Sequence, residues 1–280
     1  MKLCDLHTHS TASDGTLSPR EVVRLGAEKG LAAVALTDHN TTQGLADFED
    51  EAKRVGILPV PGIEISADFR GVELHILGLF LPKEAQKTVA ARMVTLAERK
   101  RRSNENLARG LREEGYPITL EELTAEYGNN VNRSHFQRLL WKKGLVDPHV
   151  SLFDTLLSEE RGLYVPPLRE DALETVAFLR SVGAVPVWAH PFLKKTEGIV
   201  TDFLPLAKKA GLLGMEVLYS EYTPHHQERA AFLAEEYGLL PSGGSDFHGT
   251  AKQGIDMGTG RGNLEIPFAW CEALREAALR

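Results

Sequence analysis

Residues 2–39, KLCDLHTHSTASDGTLSPREVVRLGAEKGLAAVALTDHN, read as a strand, a helix and a second strand, with histidines gathered at both strand ends. Lys2 to Leu6 is a short strand, and Ala32 to Leu36 is the next. Between them, Pro19 to Lys29 has the spacing of an amphipathic helix, with Ser18 placed to cap it and Pro19 at the first helical position, where no N–H is needed. Strands that alternate with helices build a largely parallel sheet, and the C-terminal ends of parallel strands converge on one face. His7 and His9 stand just past the first strand and His39 at the end of the second, so this unit aims three imidazoles at that face.

The alternation continues outward. Thr42 to Val55 is helical, and Ile57 to Ile65 and Val72 to Phe80 are strands separated by a short turn around Arg70 and Gly71. After Pro82 the pattern changes: residues 83–165 hold long charged helical stretches, among them AARMVTLAERKRRSNENLARGLREEG, and no comparable strand. Residues 166–280 return to alternation. Helices are expected at Leu168–Ser181, Asp202–Ala210, Pro224–Tyr237 and Pro267–Leu279, with strands at Ala184–Ala189, Gly214–Leu218 and Leu239–Ser242. Seven strands fit a barrel better than an open sheet. The expected architecture is an α/β barrel built from residues 1–82 and 166–280, interrupted by a helical insertion at 83–165.

In 280 residues, 32 Lys and Arg stand against 39 Asp and Glu, and a net charge of −7 argues against a nucleic-acid coat protein, which needs a basic excess. A small anionic ligand in a locally positive pocket remains compatible. Cys4 and Cys271 form no metal or redox pair by spacing and read as small core residues. No apolar run reaches the ~18 residues of a membrane span, and the start MKLCDLHTHS lacks the apolar stretch of a signal peptide, so a cytoplasmic location is expected.

Nine imidazoles and carboxylates fall at successive strand ends: His7, His9, Asp14, His39, Glu64 (PGIEIS), His75 (ELHILG), His190 (VWAHP), Asp246 and His248 (GGSDFHG). Together they suit Mn, Fe or Zn, and the absence of cysteine among them argues against a structural zinc. Nine side chains exceed the coordination number of one ion, so two or three divalent metals are expected, with Glu64, the only Glu in the set, as the bridge. Asp38, beside His39, is assigned instead to capping the following helix. The glycines of SGGS (242–245) would let backbones approach closely just before Asp246.

HTHSTASDG, TDHN, PGIEIS, ELHILG, AHP and GGSDFHG resemble, in order and spacing, the motifs of the PHP (polymerase and histidinol phosphatase) superfamily. The resemblance implies a distorted (β/α)7 barrel with a trinuclear centre. It would set His7, His9, Glu64 and Asp246 on one metal, Glu64, His75 and His190 on a second, and Asp14, His39 and His248 on a third, Asp14 standing where some relatives have His. Within the insertion, NRSHFQRLLWKKG resembles a segment of the 3′,5′-nucleotide bisphosphate phosphatase subgroup, whose insertion caps the barrel. Carried over, Arg133, His135 and Ser134 would contact a substrate phosphate, and Arg138 lies on the helical face of Ser134.

The expected chemistry is phosphoester hydrolysis by a metal-bridging hydroxide, with no protein nucleophile, on a small phosphorylated nucleotide. The leading substrate is a nucleoside 3′,5′-bisphosphate, with short oligoribonucleotide ends as a further one; neither a membrane nor a protein partner is implied. A cyclic phosphate or other phosphodiester, or a non-catalytic interaction module, are the alternatives. From Lys87 to Arg112, eight basic residues against two acidic ones give +6, a surface able to draw polyanions toward the cleft.

Overall fold

The computed structural model describes residues 2–279. After β1 (Cys4–Asp5), helix α1 (Pro19–Glu28) begins as expected, with a capping box between Ser18 and Glu21 and Pro19 in the first turn. Next come β2 (Ala33–Leu36), α2 (Leu45–Val55), β3 (Leu58–Pro61), β4 (Ile63–Phe69) and β5 (Val72–Leu79). The helical stretch contains α3 (Gln86–Glu113), α4 (Leu120–Tyr127) and α5 (Arg133–Lys142). The chain then runs through β6 (Glu170–Asp171), α6 (Ala172–Ser181), β7 (Val185–Ala189), α7 (Glu197–Ala210), β8 (Gly214–Tyr219), α8 (Pro224–Glu236), β9 (Leu240–Gly244) and α9 (Phe268–Ala278).

Two sheets result, in the orders β1-β2-β3 and β6-β4-β5-β7-β8-β9. The expected strand Ile57 to Ile65 is two strands in two sheets, broken at Gly62, where a Cβ would come within 3.0 Å of the Gly78 carbonyl oxygen. Glu64 therefore lies near the start of a strand rather than at the end of one. The sheet is also less parallel than expected: β5 runs antiparallel to both β4 and β7. Its direction follows from the turn, since two residues, Arg70 and Gly71, both at positive φ, can join only an antiparallel pair.

On both sides the sheets meet through single bridges. Thr8 bridges Phe247 beyond β1 and β9, and His39 bridges Glu64 beyond β2 in the parallel sense. Both joints lie among the candidate ligands.

Neighbouring residues on a strand enter different cores, as period-2 geometry requires of a sheet buried on both faces. Ala33 and Ala35 join Cys4, Leu77, Val185 and Cys271 in one cluster, while Val34, Leu36 and Trp188 pack in a larger one beneath the helices. Cys4 and Cys271 are free and buried. A third, smaller core gathers Leu107, Leu111, Leu123, Phe136 and Leu140 from α3, α4 and α5. Helix α3 spans two of these cores: Val89, Met93 and Leu96 in its first half belong to the large one. Among the described residues, no helix is long and apolar enough to cross a membrane.

Candidate metal centre

Past β1 the chain stays extended beside the residues that follow β9, with His9 N–H donating to the Phe247 carbonyl at 2.9 Å and Asp246 N–H to that of His7 at 2.9 Å. Gly244 permits this approach: a Cβ there would lie 2.1 Å from His7 Cβ. His190 (φ 33) and Asp246 (φ 55) hold the left-handed backbone that non-glycine residues seldom adopt, a strain concentrated at functional sites.

Asp38 does not cap the next helix, whose N-cap is Gly44. Its carboxylate accepts from Ser10 N–H (2.8 Å), Ser10 Oγ (2.6 Å) and Ser13 Oγ (2.5 Å) and so ties down the loop that carries Asp14. The loop's backbone and hydroxyl donors reach it first because it sits at the strand end facing them.

All nine candidate ligands converge. Glu64 is fully buried at their centre, with Oε2 at 3.3, 3.2 and 2.9 Å from nitrogens of His7, His9 and His39. Its Oε1 lies 2.8 Å from His75 Nδ1 and 3.2 Å from His190 Nε2, so the two oxygens face different histidines. Asp246 Oδ1 is 3.2 Å from His9 Nε2, and Asp14 Oδ1 is 3.2 Å from His248 Nε2. Four groups have donor atoms within 4.8 Å of one another: His9, Asp14, His39 and His248; His7, His9 and Asp246; His7, Glu64 and His190; His39, Glu64 and His75. Glu64 belongs to two of them.

Second partners orient these groups, and sequence reasoning missed them. Glu216, fully buried in β8, accepts from His7 Nδ1 at 2.9 Å and from His190 N–H at 2.6 Å, which leaves His7 Nε2 for a cation. Its signal was an acid inside the apolar strand GMEVLY. Asp246 keeps Oδ1 toward the histidines because Tyr219 OH (2.8 Å) and Lys252 both donate to Oδ2. Glu73 stands 3.3 Å from His75 Nε2 and accepts from Arg169 at 2.6 Å.

A cavity of about 240 Å³ opens onto Asp14, His39 and His75, and its walls also carry Lys100, Arg133, Tyr164 and Arg169. Arg133 is held over the Tyr164 ring (4.2 Å) and donates to the Leu157 carbonyl at 3.4 Å. Ser134 Oγ donates to Asn132 Oδ1 at 2.7 Å and lies 3.3 Å from Asp14 Oδ2, and Arg138 donates to the Asp14 carbonyl at 3.2 Å, which joins α5 to the ligand loop. His135 sits apart from the cavity wall: it is buried, stacks on Tyr127, and its Nδ1 accepts the Asn132 N–H at 3.1 Å, tying off the start of α5. Of the basic run on α3, only Lys100 lines this cavity.

The donor set fits divalent ions. Glu64 Oε2, His39 Nδ1 and His190 Nδ1 are buried and make no well-directed hydrogen bond, although the first two lie 2.9 Å apart, a costly arrangement unless a cation supplies a partner. Burial pushes the carboxyls of Glu64, Asp14 and Asp246 up, but the surrounding imidazoles, and Lys252 for Asp246, outweigh it and hold all three well below their usual range. Burial likewise opposes charge on His9 and His75, yet Asp246 and Glu64 lift His9, and Glu64 and Glu73 lift His75, each to about 9. Clustered carboxylates thus demand positive charge, which metal ions meet more fully than protons.

The model of the PHP domain matches residues 5–164. A 5′-3′ exoribonuclease of Haemophilus influenzae is 33% identical over 252 residues, covering 88% of this chain and 90% of that protein. A 3′,5′-nucleoside bisphosphate phosphatase of Chromobacterium violaceum is 31% identical over 261 residues, covering 91% and 90%. A solved structure of an amidohydrolase from Chromobacterium violaceum, with bound sulfate and no metal, superposes with a TM-score of 0.82 at 29% identity over 98% of this chain and 96% of that one. With the domain matched across more than half of its length and the relatives across most of it, the chain belongs to the PHP domain family and is a metal-dependent phosphoesterase.

Proposed function

We propose that the chain hydrolyses the 3′-phosphoester of a nucleotide that also carries a 5′-phosphate, a nucleoside 3′,5′-bisphosphate above all. The observation that carries this reading is that one cavity is lined both by the carboxylate and imidazole groups Asp14, His39 and His75 and by the guanidinium groups of Arg133 and Arg169. A substrate with two phosphates matches both sets of groups, and the guanidinium fork suits the phosphate that the metals do not hold.

In this reading the nine ligands would hold two or three ions of Mn, Fe or Zn. His7, His9, Glu64 and Asp246 would serve one, Glu64, His75 and His190 a second, and Asp14, His39 and His248 a third. The two sheets act as one distorted (β/α)7 barrel, and residues 83–165 form its cap. Bound ions supply a nucleophile from water at neutral pH and neutralise the phosphoryl oxygens. An oxygen from water bonds to phosphorus, the P–O3′ bond breaks and O3′ takes a proton, giving a 5′-nucleotide and phosphate. Arg133 and Ser134, on the first turn of α5, hold the remote phosphate, and His135 keeps that turn in place through its bond to Asn132. Binding energy from the remote phosphate is spent on orientation at the reacting one.

The test is a metal-reconstituted comparison of nucleoside 3′,5′-bisphosphates, monophosphates and cyclic nucleotides. Rapid release of the 3′-phosphate from the bisphosphate, with slow turnover of the others, is expected. Equal or absent turnover across all three overturns the reading.

A further inference from the structure

Cleavage of P–O3′ leaves an alkoxide that must take a proton, and most groups around the main cavity have none to give. Asp14, His39 and His75 are committed to metal ions in the proposed reaction. Arg133 and Arg169 line the cavity too, but a guanidinium does not release its proton. Glu73 accepts from Arg169 at 2.6 Å and so stays an acceptor. Burial pushes the Tyr164 hydroxyl up, so it keeps its proton, and Arg133 covers its ring.

Lys100 is different. It stands midway along α3, half-buried, and its Nζ donates to Asn130 Oδ1 at 3.0 Å. Asn130 is itself fixed, because its Nδ2 donates to the His39 carbonyl at 2.8 Å. One side-chain amide thus ties the ammonium to the backbone of a metal-ligand residue. Asn104, one turn further along α3, is buried and donates to the Val131 carbonyl at 2.8 Å, which pins the helix to the segment that carries Asn130. An ammonium has three protons and Asn130 takes one, so others remain for a ligand in the cavity that Lys100 lines. Burial lowers this amine to about 8, although Asp14 and Glu73 pull it the other way, and an acid of that strength works near neutral pH.

We propose that Lys100 is the general acid of the reaction, giving an Nζ proton to O3′ as the P–O3′ bond breaks. This rests on the phosphoester-hydrolysis reading of the main cavity. An oxygen from water bonds to phosphorus, the electron pair of the P–O3′ bond goes to O3′, and Nζ supplies the proton that O3′ takes. The neutral amine recovers a proton released by the attacking water, so water alone is consumed and a 5′-nucleotide and phosphate are formed.

A leaving atom that needs no proton separates this role from binding. Adenosine 3′,5′-bisphosphate is compared with its analogue carrying sulfur in place of the bridging O3′, since a thiol, with a pKa of about 8.5, leaves readily as its anion. Both substrates keep the 5′-phosphate, so any loss of binding common to them cancels. In the metal-loaded protein, Lys100→Met should lose about 100-fold more kcat/KM on the oxygen substrate than on the sulfur one. Lys100→Arg keeps the charge but holds its proton, so it should show the same selective loss. Its affinity for adenosine 3′,5′-bisphosphate, read by calorimetry in chelator, should stay within about threefold of wild type. Turnover of the sulfur substrate shows that each variant is folded and loaded. Equal losses on the two substrates, recovery of the oxygen substrate by Lys100→Arg, or an affinity loss as large as the activity loss overturns the proposal and leaves Lys100 a phosphate-binding charge. With wild-type turnover of the bisphosphate in hand, those outcomes remove this inference alone. Wild-type protein that turns over neither substrate removes the parent reading with it.

Discussion

Glu216 accepts the Nδ1 proton of His7 at 2.9 Å, from a strand whose neighbouring positions are buried and mostly apolar. That bond fixes the His7 tautomer with Nε2 turned to the ligand cluster. Glu216→Gln keeps the shape but weakens the acceptor, and metal affinity should fall by about 10–100-fold, the usual effect of losing such an outer carboxylate. Titration of the metal-free protein with Mn(II) reads this directly. An unchanged affinity would show that His7 needs no orienting partner.

Arg133 is already placed by the Tyr164 ring and the Leu157 carbonyl, so substrate need not organise it. Arg133→Ala should raise KM for a nucleoside bisphosphate by about tenfold or more, the equivalent of one charge-assisted hydrogen bond, with a much smaller effect on a monophosphate. Arg133→Lys should rescue little, because a point charge cannot reproduce the planar fork. Equal effects on both substrates would remove Arg133 from the phosphate site.

Asp38 holds three donors of the Ser10–Ser13 loop while only 2% exposed. Asp38→Ala leaves buried donors unpaired and should cost about 1–3 kcal/mol of stability, with Asp38→Asn milder. Urea unfolding of the metal-free protein measures this apart from any metal effect. A loss below the error of the method would mean that the loop is held by other contacts.

The 2.1 Å approach at Gly244 leaves no room for a methyl group. Gly244→Ala must push His7 away, so it should lower metal content as well as the unfolding midpoint, by about 1–3 kcal/mol for an overpacked site. Full metal content by elemental analysis would argue that the backbone yields here at little cost.

Metal-free protein should be most stable near pH ~6.5. His9 and His75, lifted to about 9 against burial by their carboxylate neighbours, contribute stability that is complete below the unfolded value and is lost as pH rises through 9. His190 is pushed by burial to about 3, so its contribution is complete above the unfolded value and is lost as pH falls. Divalent ions need neutral imidazoles, and loading should move the optimum to higher pH. Unfolding midpoints across pH, in chelator and in Mn(II), test both halves. An optimum that ions leave in place would exclude these imidazoles as ligands.

Residue type and order made the meeting of His7, His9, His39 and Glu64 legible, because apolar runs mark strands and parallel strands share an end. The direction of β5 was equally available in the two-residue turn at Arg70 and Gly71, but hydrophobic alternation is blind to direction and outweighed it. Asp38 was misread because a carboxylate between a strand and a helix caps the helix unless a closer donor competes, and Ser10 and Ser13 are distant in sequence. Glu216 and Arg169 act through partners 209 and 96 residues away, and such pairings are set by the sheet order rather than by any local pattern.

Because α3 is one continuous helix rooted in the large core at Met93 and in the small core at Leu107, the boundary at residue 83 is not a place to cut. Excision from there would strip Val89, Met93 and Leu96 from the core beneath the helices and leave an apolar trench on the remaining body. A trimmed enzyme, or a graft of another roof onto this base, should keep α3 through Leu96 and make its joint in the turn that follows.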